Sequence, residues 1–400
     1  MNIKIEKYDN QGRGIGYLNK KIVFVPNTVI GETVEIEIIE EKDKYIVGKV
    51  INVISPSTIR IKSKCPYYDR CGGCEFMHLS IDEELRIKTN ILTDLLKRNN
   101  IDVPKINVIQ SNNKYNYRNK VTLKIVNNEF GYYNSGTHNF TKIDYCYLAK
   151  DSINNIIKSY NLFKVSSGEI TIRSNYNDEI LIKITSNEKV DVDIEKLIND
   201  NKIVGIIVND KVIYGENDYI EKVNNYLFKV NINSFFQVNL NILEKIENIL
   251  HAKKYHNVVD LYCGVGTLGM FVNKDKLYGI EIVKDAVINA SINAKINKQN
   301  NMYMLGDSSK ISKIDSDIDC IIIDPPRSGL NKETMKNIVT IKPDNLIYMS
   351  CNPLTFVRDM QILNKIYNVD EFYYLEMFPR TKHMECISIL SRKAQQNKDF

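Results

Sequence analysis

Four hundred residues, 43% of them apolar and 26% charged, are enough for two or three domains with their own cores, and the composition is that of a soluble globular protein. The longest apolar runs are strand-sized, which excludes a transmembrane helix, and the opening Met-Asn-Ile-Lys-Ile-Glu lacks the apolar core of a signal peptide. A cytoplasmic location is therefore expected, where eight cysteines point to metal binding or catalysis rather than to structural disulfides.

The net charge of +5 is modest, but its distribution is uneven: residues 56–125 hold 13 Lys and Arg against 7 Asp and Glu. One basic surface is expected there, and a phosphate-bearing partner or a merely solvated face fits it equally well.

Residues 3–52 read as short strands and turns. Lys21-Ile-Val-Phe-Val-Pro26 is a strand bounded by its proline, and Gly31-Glu-Thr-Val-Glu-Ile-Glu-Ile38 alternates charged and apolar side chains. Gly12, Gly14 and Gly16 punctuate the opening hairpin. Several short strands in some fifty residues predict a small barrel of the oligonucleotide-binding type. The glycine-rich turn, Val-Phe-Val and Gly-Glu-x-Val resemble a TRAM domain, an RNA-binding barrel appended to RNA-modifying enzymes.

Cys65-Pro-Tyr-Tyr-Asp-Arg-Cys71-Gly-Gly-Cys74 follows. The C-x2-C turn lets backbone amides point at the sulfurs, and its glycines relieve crowding as the chain wraps a metal centre. A closed site needs a fourth thiolate, for which Cys146 in Asp144-Tyr-Cys-Tyr-Leu148 is the candidate. Spacing alone leaves zinc and iron–sulfur both open.

From Ser80 to Asn99, apolar residues recur at helical spacing (Ile81, Leu85, Ile87, Ile91, Leu92, Leu95, Leu96), with acids early and bases late as the helix dipole prefers. The helix is read as structural, with the catalytic domain as a candidate packing partner. Residues 106–230 alternate strand-like runs with polar turns. Tyr115-Asn-Tyr-Arg-Asn-Lys120 sets two rings beside two cations, as single-stranded RNA recognition requires, though an anchored surface loop has the same composition.

After residue 230, strands alternate with helices, which predicts a parallel sheet. The strand Asn257-Val-Val-Asp-Leu-Tyr262 runs into Cys263-Gly-Val-Gly-Thr267-Leu-Gly269 and a short helix. A second strand, Leu277-Tyr-Gly-Ile-Glu281, ends in a carboxylate placed to bind ribose hydroxyls. That order fits a dinucleotide or S-adenosylmethionine. Met304-Leu-Gly-Asp307 closes a third strand with an acid suited to adenine, and Asp319-Cys-Ile-Ile-Ile-Asp324-Pro-Pro-Arg327 is the fourth. The apolar run Leu346-Ile-Tyr-Met349 is a strand ending at Ser350-Cys351-Asn-Pro353, so a cysteine stands at the carboxyl end of a strand, where open α/β sheets build their crevice.

Asp324-Pro-Pro-Arg-Ser-Gly329, Ser350-Cys-Asn-Pro353 and Phe378-Pro-Arg-Thr-Lys-His-Met-Glu385, together with Ser234-Phe-Phe-Gln-Val-Asn239, resemble the ordered motifs of the bacterial RNA uracil-C5 methyltransferases across nearly the whole chain. The resemblance implies a Rossmann-like class I methyltransferase domain with a doubly wound sheet over residues 231–400. Ahead of it come a TRAM-like barrel over 1–55 and a central α+β iron–sulfur domain over 56–230. It also implies that Gln237, Tyr262, Glu281 and Asp324, with Thr267 and Asp307, contact S-adenosylmethionine. Cys65, Cys71, Cys74 and Cys146 would hold a 4Fe-4S cluster, as in the branch acting on ribosomal RNA. Uracil C5 is too weak a nucleophile to be methylated unaided; a thiolate adding at C6 activates it, and a carboxylate must then remove the C5 proton. Cys351 and Glu385 are the expected pair. The expected substrate is 23S ribosomal RNA, taken up by a single chain without membrane or obligate protein partner. A transfer-RNA enzyme of the same family and a non-catalytic iron–sulfur RNA-binding protein are the alternatives.

Overall fold

The computed structural model describes residues 1–134, 139–314 and 317–394. Six strands (Asn2–Lys4, Lys7–Tyr8, Gly14–Leu18, Lys21–Val25, Thr33–Glu41 and Tyr45–Ser55) make one N-terminal sheet. Alternation along them sends Ile3, Val23, Val25, Val34, Ile36 and Ile46 into a common core. The sheet curls until its ends nearly meet. Glu6 N donates to Ile15 O at 2.8 Å, and a Cβ on Gly16 would lie 2.5 Å from the Lys4 carbonyl oxygen, so only glycine fits that crossing. Arg60 fastens this unit to the segment that follows, donating to the buried Glu32 and to Asn27 O.

A central seven-stranded sheet runs in the order Phe140–Lys142, Glu129–Tyr133, Lys120–Val126, Ser167–Ser174, Ile180–Thr185, Ile203–Val208, Lys211–Gly215. The helices Asp151–Lys158 and Ile194–Asp200 contribute Ile153, Ile156, Ile157 and Leu197 to the core on one of its faces.

The third sheet has eight strands: β1 (Ile106–Ile109), β2 (Lys254–Leu261), β3 (Asn273–Glu281), β4 (Met302–Leu305), β5 (Cys320–Ile323), β6 (Asn345–Ser350), β7 (Tyr367–Leu375) and β8 (Glu385–Arg392). Their order is β4-β3-β2-β5-β6-β8-β7-β1. The five strands from β4 to β6 are parallel, and β8 runs antiparallel to both β6 and β7. This is the class I methyltransferase arrangement with one strand added at the edge. Strands β5 and β6 are apolar on both sides because both faces are covered. Ile321, Ile323, Leu346 and Tyr348 belong to one core, while Ile322, Ile347 and Met349 belong to the other.

Helix α1 (Ile81–Arg98) is capped by Ser80, whose side chain accepts from Glu83 N. Its apolar stripe packs into the same core as Leu346 and Tyr348. Two elements inside residues 56–230 thus serve the methyltransferase sheet: α1 on its face and β1, parallel to β7, on its edge. The stripe differs from the sequence pattern in one respect. Glu84 and Lys88 lie on it, 1% exposed each, for a reason given below. No helix among the described residues is long and apolar enough to cross a membrane.

Leu92 is fully buried at the seam between α1 and the catalytic sheet. Leu92→Ala is expected to lower stability by about 2–5 kcal/mol, read as a fall in the denaturant midpoint of the methyltransferase unit.

Candidate active site

At the end of β2 the chain turns sharply: Tyr262, Gly264 and Gly266 have φ of 63°, 54° and 87°. A Cβ on Gly264 would meet nothing within 4 Å, so the backbone there opens onto free space as a ligand cradle requires. Glu281, at the end of β3, is held by Gly264 N at 3.0 Å and Val283 N at 2.8 Å. Ser308 Oγ donates to the Tyr262 hydroxyl at 2.8 Å. Asp307 is exposed, and its bonds from Ser309 keep its carboxyl below the ordinary range. Thr267 opens the helix Thr267–Phe271 on the far side of the turn. Four of the six expected donor-site residues, Tyr262, Thr267, Glu281 and Asp307, therefore ring the glycine turn, and Asp324 ends the neighbouring strand β5. Gln237 is buried, and its carbonyl accepts from Asn119 Nδ2 at 3.3 Å, which ties its segment to the Tyr117–Lys120 turn.

Sequence reasoning missed an apolar shelf between the two acids. Ile282 and Leu305 are 68% and 45% exposed, directly after Glu281 and just before Asp307. Exposed aliphatic side chains flanking strand-ending acids suit a planar ring such as adenine, and their place beside each acid was the available signal.

On the acceptor side, three strand ends come together. Ser350 pairs with Cys386 across β6 and β8, so Cys351 and Glu385 are the next residues on facing strands, and directly opposed residues stand about 5 Å apart at Cβ. Ile323 pairs with Tyr348, which brings Asp324 alongside Met349. Asn352 caps helix α2 (Pro353–Leu363), accepting from Leu354 N at 3.2 Å, while its Nδ2 donates to Arg327 O at 2.9 Å. One residue therefore fixes both the turn presenting Cys351 and the loop presenting Arg327. The Arg327 guanidinium lies 3.3 and 3.4 Å from the two ring nitrogens of His383.

The electrostatics follow from burial. Glu385 is 2% exposed and its Oε1 has no hydrogen-bond partner among the described residues. Burial, then the charge of Asp324, holds it well above the ordinary carboxylate range, with Arg327 opposing. Burial lifts Asp324 to about 7. Cys351 is half-buried, and burial with the Glu385 and Asp324 charges pushes its thiol up to about 11 against the pull of Arg327. A thiol and a carboxyl side by side beside a ligand cradle can add to one small ring and take a proton from it.

The loop from β7 to Glu385 is bolted to the segment after Cys74. Glu75 N and Phe76 N both donate to Arg380 O at 3.1 Å. Arg380 is fully buried with φ 69°; its guanidinium donates to Phe76 O and Leu79 O and pairs with Glu84 at 3.0 Å. Arg380 N also donates to Glu84, and Lys88 Nζ bridges Glu84 Oε1 at 2.7 Å and Phe378 O at 3.1 Å. This explains the two charges on the stripe of α1, and a charged i, i+4 pair inside an apolar stripe was the sequence signal for them.

Cys65, Cys71 and Cys74, together with the distant Cys146, line one cavity of about 70 Å³ with Met77 and Arg118. Among the described residues, no three His, Cys, Asp or Glu lie close enough to grip a single metal ion.

Residues 80–393 match the tRNA (uracil-5-)-methyltransferase family, and residues 1–51 match the TRAM domain. An uncharacterized RNA methyltransferase of Clostridium acetobutylicum is 32% identical over 98% of this chain and 96% of its own length. One of Staphylococcus aureus is 29% identical over 96% of each. The structure of Pyrococcus abyssi tRNA (uracil-54, C5)-methyltransferase in complex with S-adenosyl-L-homocysteine superposes with a TM-score of 0.79 at 23% identity, covering 98% of this chain and 99% of that one. At that identity the likeness speaks for the fold.

The thiolate is the species that alkylates, so a raised pKa moves reaction to higher pH. Iodoacetamide labelling of the Cys351 peptide, followed by mass spectrometry against pH, is expected to have its midpoint near 11. Glu385→Gln removes a negative neighbour and should move that midpoint down. An upward or absent movement would contradict the proximity of the two groups.

Proposed function

We propose that this chain, which belongs to the tRNA (uracil-5-)-methyltransferase family and is an S-adenosylmethionine-dependent RNA methyltransferase, methylates C5 of a uridine in 23S ribosomal RNA through a covalent adduct on Cys351. The observation that carries this is the register of β6 and β8, which makes Cys351 and Glu385 neighbours at the sheet edge that also bears the glycine turn. Tyr262, Thr267, Glu281, Asp307, Asp324 and Gln237 would hold S-adenosylmethionine, which would supply an electrophilic methyl group.

Cys351, as thiolate, adds to C6 of the uracil and converts the ring to an enolate with carbanion character at C5. The C5 electron pair displaces the methyl group from the sulfonium: the C5–CH3 bond forms as the CH3–S bond breaks, and its electron pair stays on the sulfur of the departing S-adenosylhomocysteine. Glu385, as carboxylate, then removes the C5 proton, and the electrons released restore the C5–C6 double bond as the Cys351 thiolate leaves. The low-dielectric surroundings that raise the pKa of Glu385 also make it a stronger base once ionised. The base must leave any stack to reach Cys351, so the uridine is flipped out.

A 4Fe-4S cluster on Cys65, Cys71, Cys74 and Cys146 is part of the proposal. One observation supports it: all four cysteines line one cavity. The chemistry proposed for Cys351 and Glu385 needs no electron transfer, which leaves the four-cysteine site a structural role in this reading. Transfer RNA is the second substrate reading, favoured by the description of the family matched over residues 80–393.

C5-tritiated uridine RNA is expected to release tritium on incubation with enzyme and S-adenosylmethionine, from 23S ribosomal RNA in preference to transfer RNA; no release from either would overturn the enzymatic reading in favour of an RNA-binding role. Protein purified anaerobically is expected to be brown, with about four iron and four sulfide ions per chain. A colourless, zinc-loaded protein would replace the cluster.

A further inference from the structure

We infer that Arg380 is the positioning residue for the base: it sets the loop that seals Glu385 into the pocket. The inference rests on the assignment of Glu385 as base.

Glu385 begins β8, where it pairs with Leu375, and the loop joining β7 to β8 runs directly into it. Phe378 and His383 belong to that loop, with ring centroids 5.8 Å apart, and His383 meets Arg327. The loop's conformation is set from outside the methyltransferase sheet. Its carbonyls at Phe378, Pro379 and Arg380 are taken by Lys88 Nζ, by the Tyr117 hydroxyl, and by Glu75 N and Phe76 N. Lys382 N donates to Glu75 Oε2 at 2.9 Å.

Arg380 stands at the centre of these contacts. It is 0% exposed, and its backbone adopts the left-handed region that an arginine seldom enters. Two buried cations, Arg380 and Lys88, share the single carboxylate of Glu84. A surplus buried cation is tolerated only where carbonyls complete its shell, and here those are Phe76 O, Leu79 O and Phe378 O. In the loop conformation that meets these demands, Glu385 is 2% exposed. Without the guanidinium the loop loses its anchor to residues 75–84, and water reaches the carboxyl. Proton removal from C5 should then slow, while addition of Cys351 and methyl transfer should proceed.

This gives Arg380 a signature that general loss of structure does not produce. A variant impaired only in the last step accumulates RNA covalently bound to Cys351. Arg380→Met, of similar length and neutral, is expected to lower kcat roughly 10- to 100-fold with KM for RNA within about twofold. A band of protein–RNA adduct should persist on a denaturing gel. Glu385→Gln, run in parallel, should give the same band. Lys88→Met, which removes the surplus cation but leaves Arg380 paired, should give the same band more faintly and decides the matter if Arg380→Met does not fold. If Glu385→Gln traps adduct and neither Arg380→Met nor Lys88→Met does, Arg380 does not position the base and the inference falls while the base assignment stands. If Glu385→Gln also traps none, Glu385 is not the base and both fall.

Discussion

The site depends on one reversal of strand direction. In a parallel sheet every strand delivers its carboxyl end to the same edge, so residues at strand starts lie on the opposite side. Because β8 runs against β6, its first residue arrives where β6 finishes. A residue that begins a strand can then face residues that end theirs. Cys351 and Asp324 come to the edge at the close of β6 and β5, and Glu385 comes to it at the opening of β8. Sequence neighbours on those strands, Tyr348 and Ser388 for example, are buried, so the edge is held rigidly from below.

Crowding three acidic groups at that edge has an electrostatic consequence. Burial chiefly keeps the Glu385 carboxyl and the Cys351 thiol neutral, the Asp324 charge disfavours ionisation of both, and the Glu385 charge disfavours that of the thiol. Arg327 is the cation that opposes it. The loop bearing Arg327 is braced from behind by α2: Asp359 Oδ2 accepts from Leu330 N at 2.9 Å and from the Tyr348 hydroxyl at 2.7 Å. Gly329 has φ 75°, and a Cβ there would lie 2.7 Å from the same carboxylate. The cation that moderates the pocket is thus held by the helix that follows the cysteine.

Much of this was legible in the chain. Strand β5 announces itself by Ile321-Ile-Ile323 bounded by Asp324-Pro-Pro, since apolar runs closed by prolines at this length have few other uses. The glycine turn was legible because Tyr262 and its glycines must take left-handed conformations. The role of Arg380 was not legible. Its partners Phe76, Leu79 and Glu84 lie some three hundred residues away, and periodicity carries no information at that range. Membership of β1 in the methyltransferase sheet was hidden for the same reason: Ile106–Ile109 reads as a strand, but its partner β7 lies in the last tenth of the chain. The apolar shelf of Ile282 and Leu305 was obscured because an aliphatic side chain at a strand end looks like core until its exposure is seen.

The clasp between residues 75–88 and residues 378–382 bears on how the molecule is made. Synthesis runs from the N-terminus, so the barrel, the cysteine segment and α1 all leave the ribosome long before their partners exist. Contacts that span 301 residues, such as Arg380 to Leu79, form late and slowly. Until then α1 carries the Glu84–Lys88 pair on an apolar face without the carbonyl of Phe378 and the guanidinium of Arg380 that complete its shell. A chain cut short before residue 380 would keep a complete glycine turn and a complete Cys351, yet could not close its pocket. The clasp therefore ties closure of the pocket to the arrival of residues 378–385, the last of its parts to be synthesised.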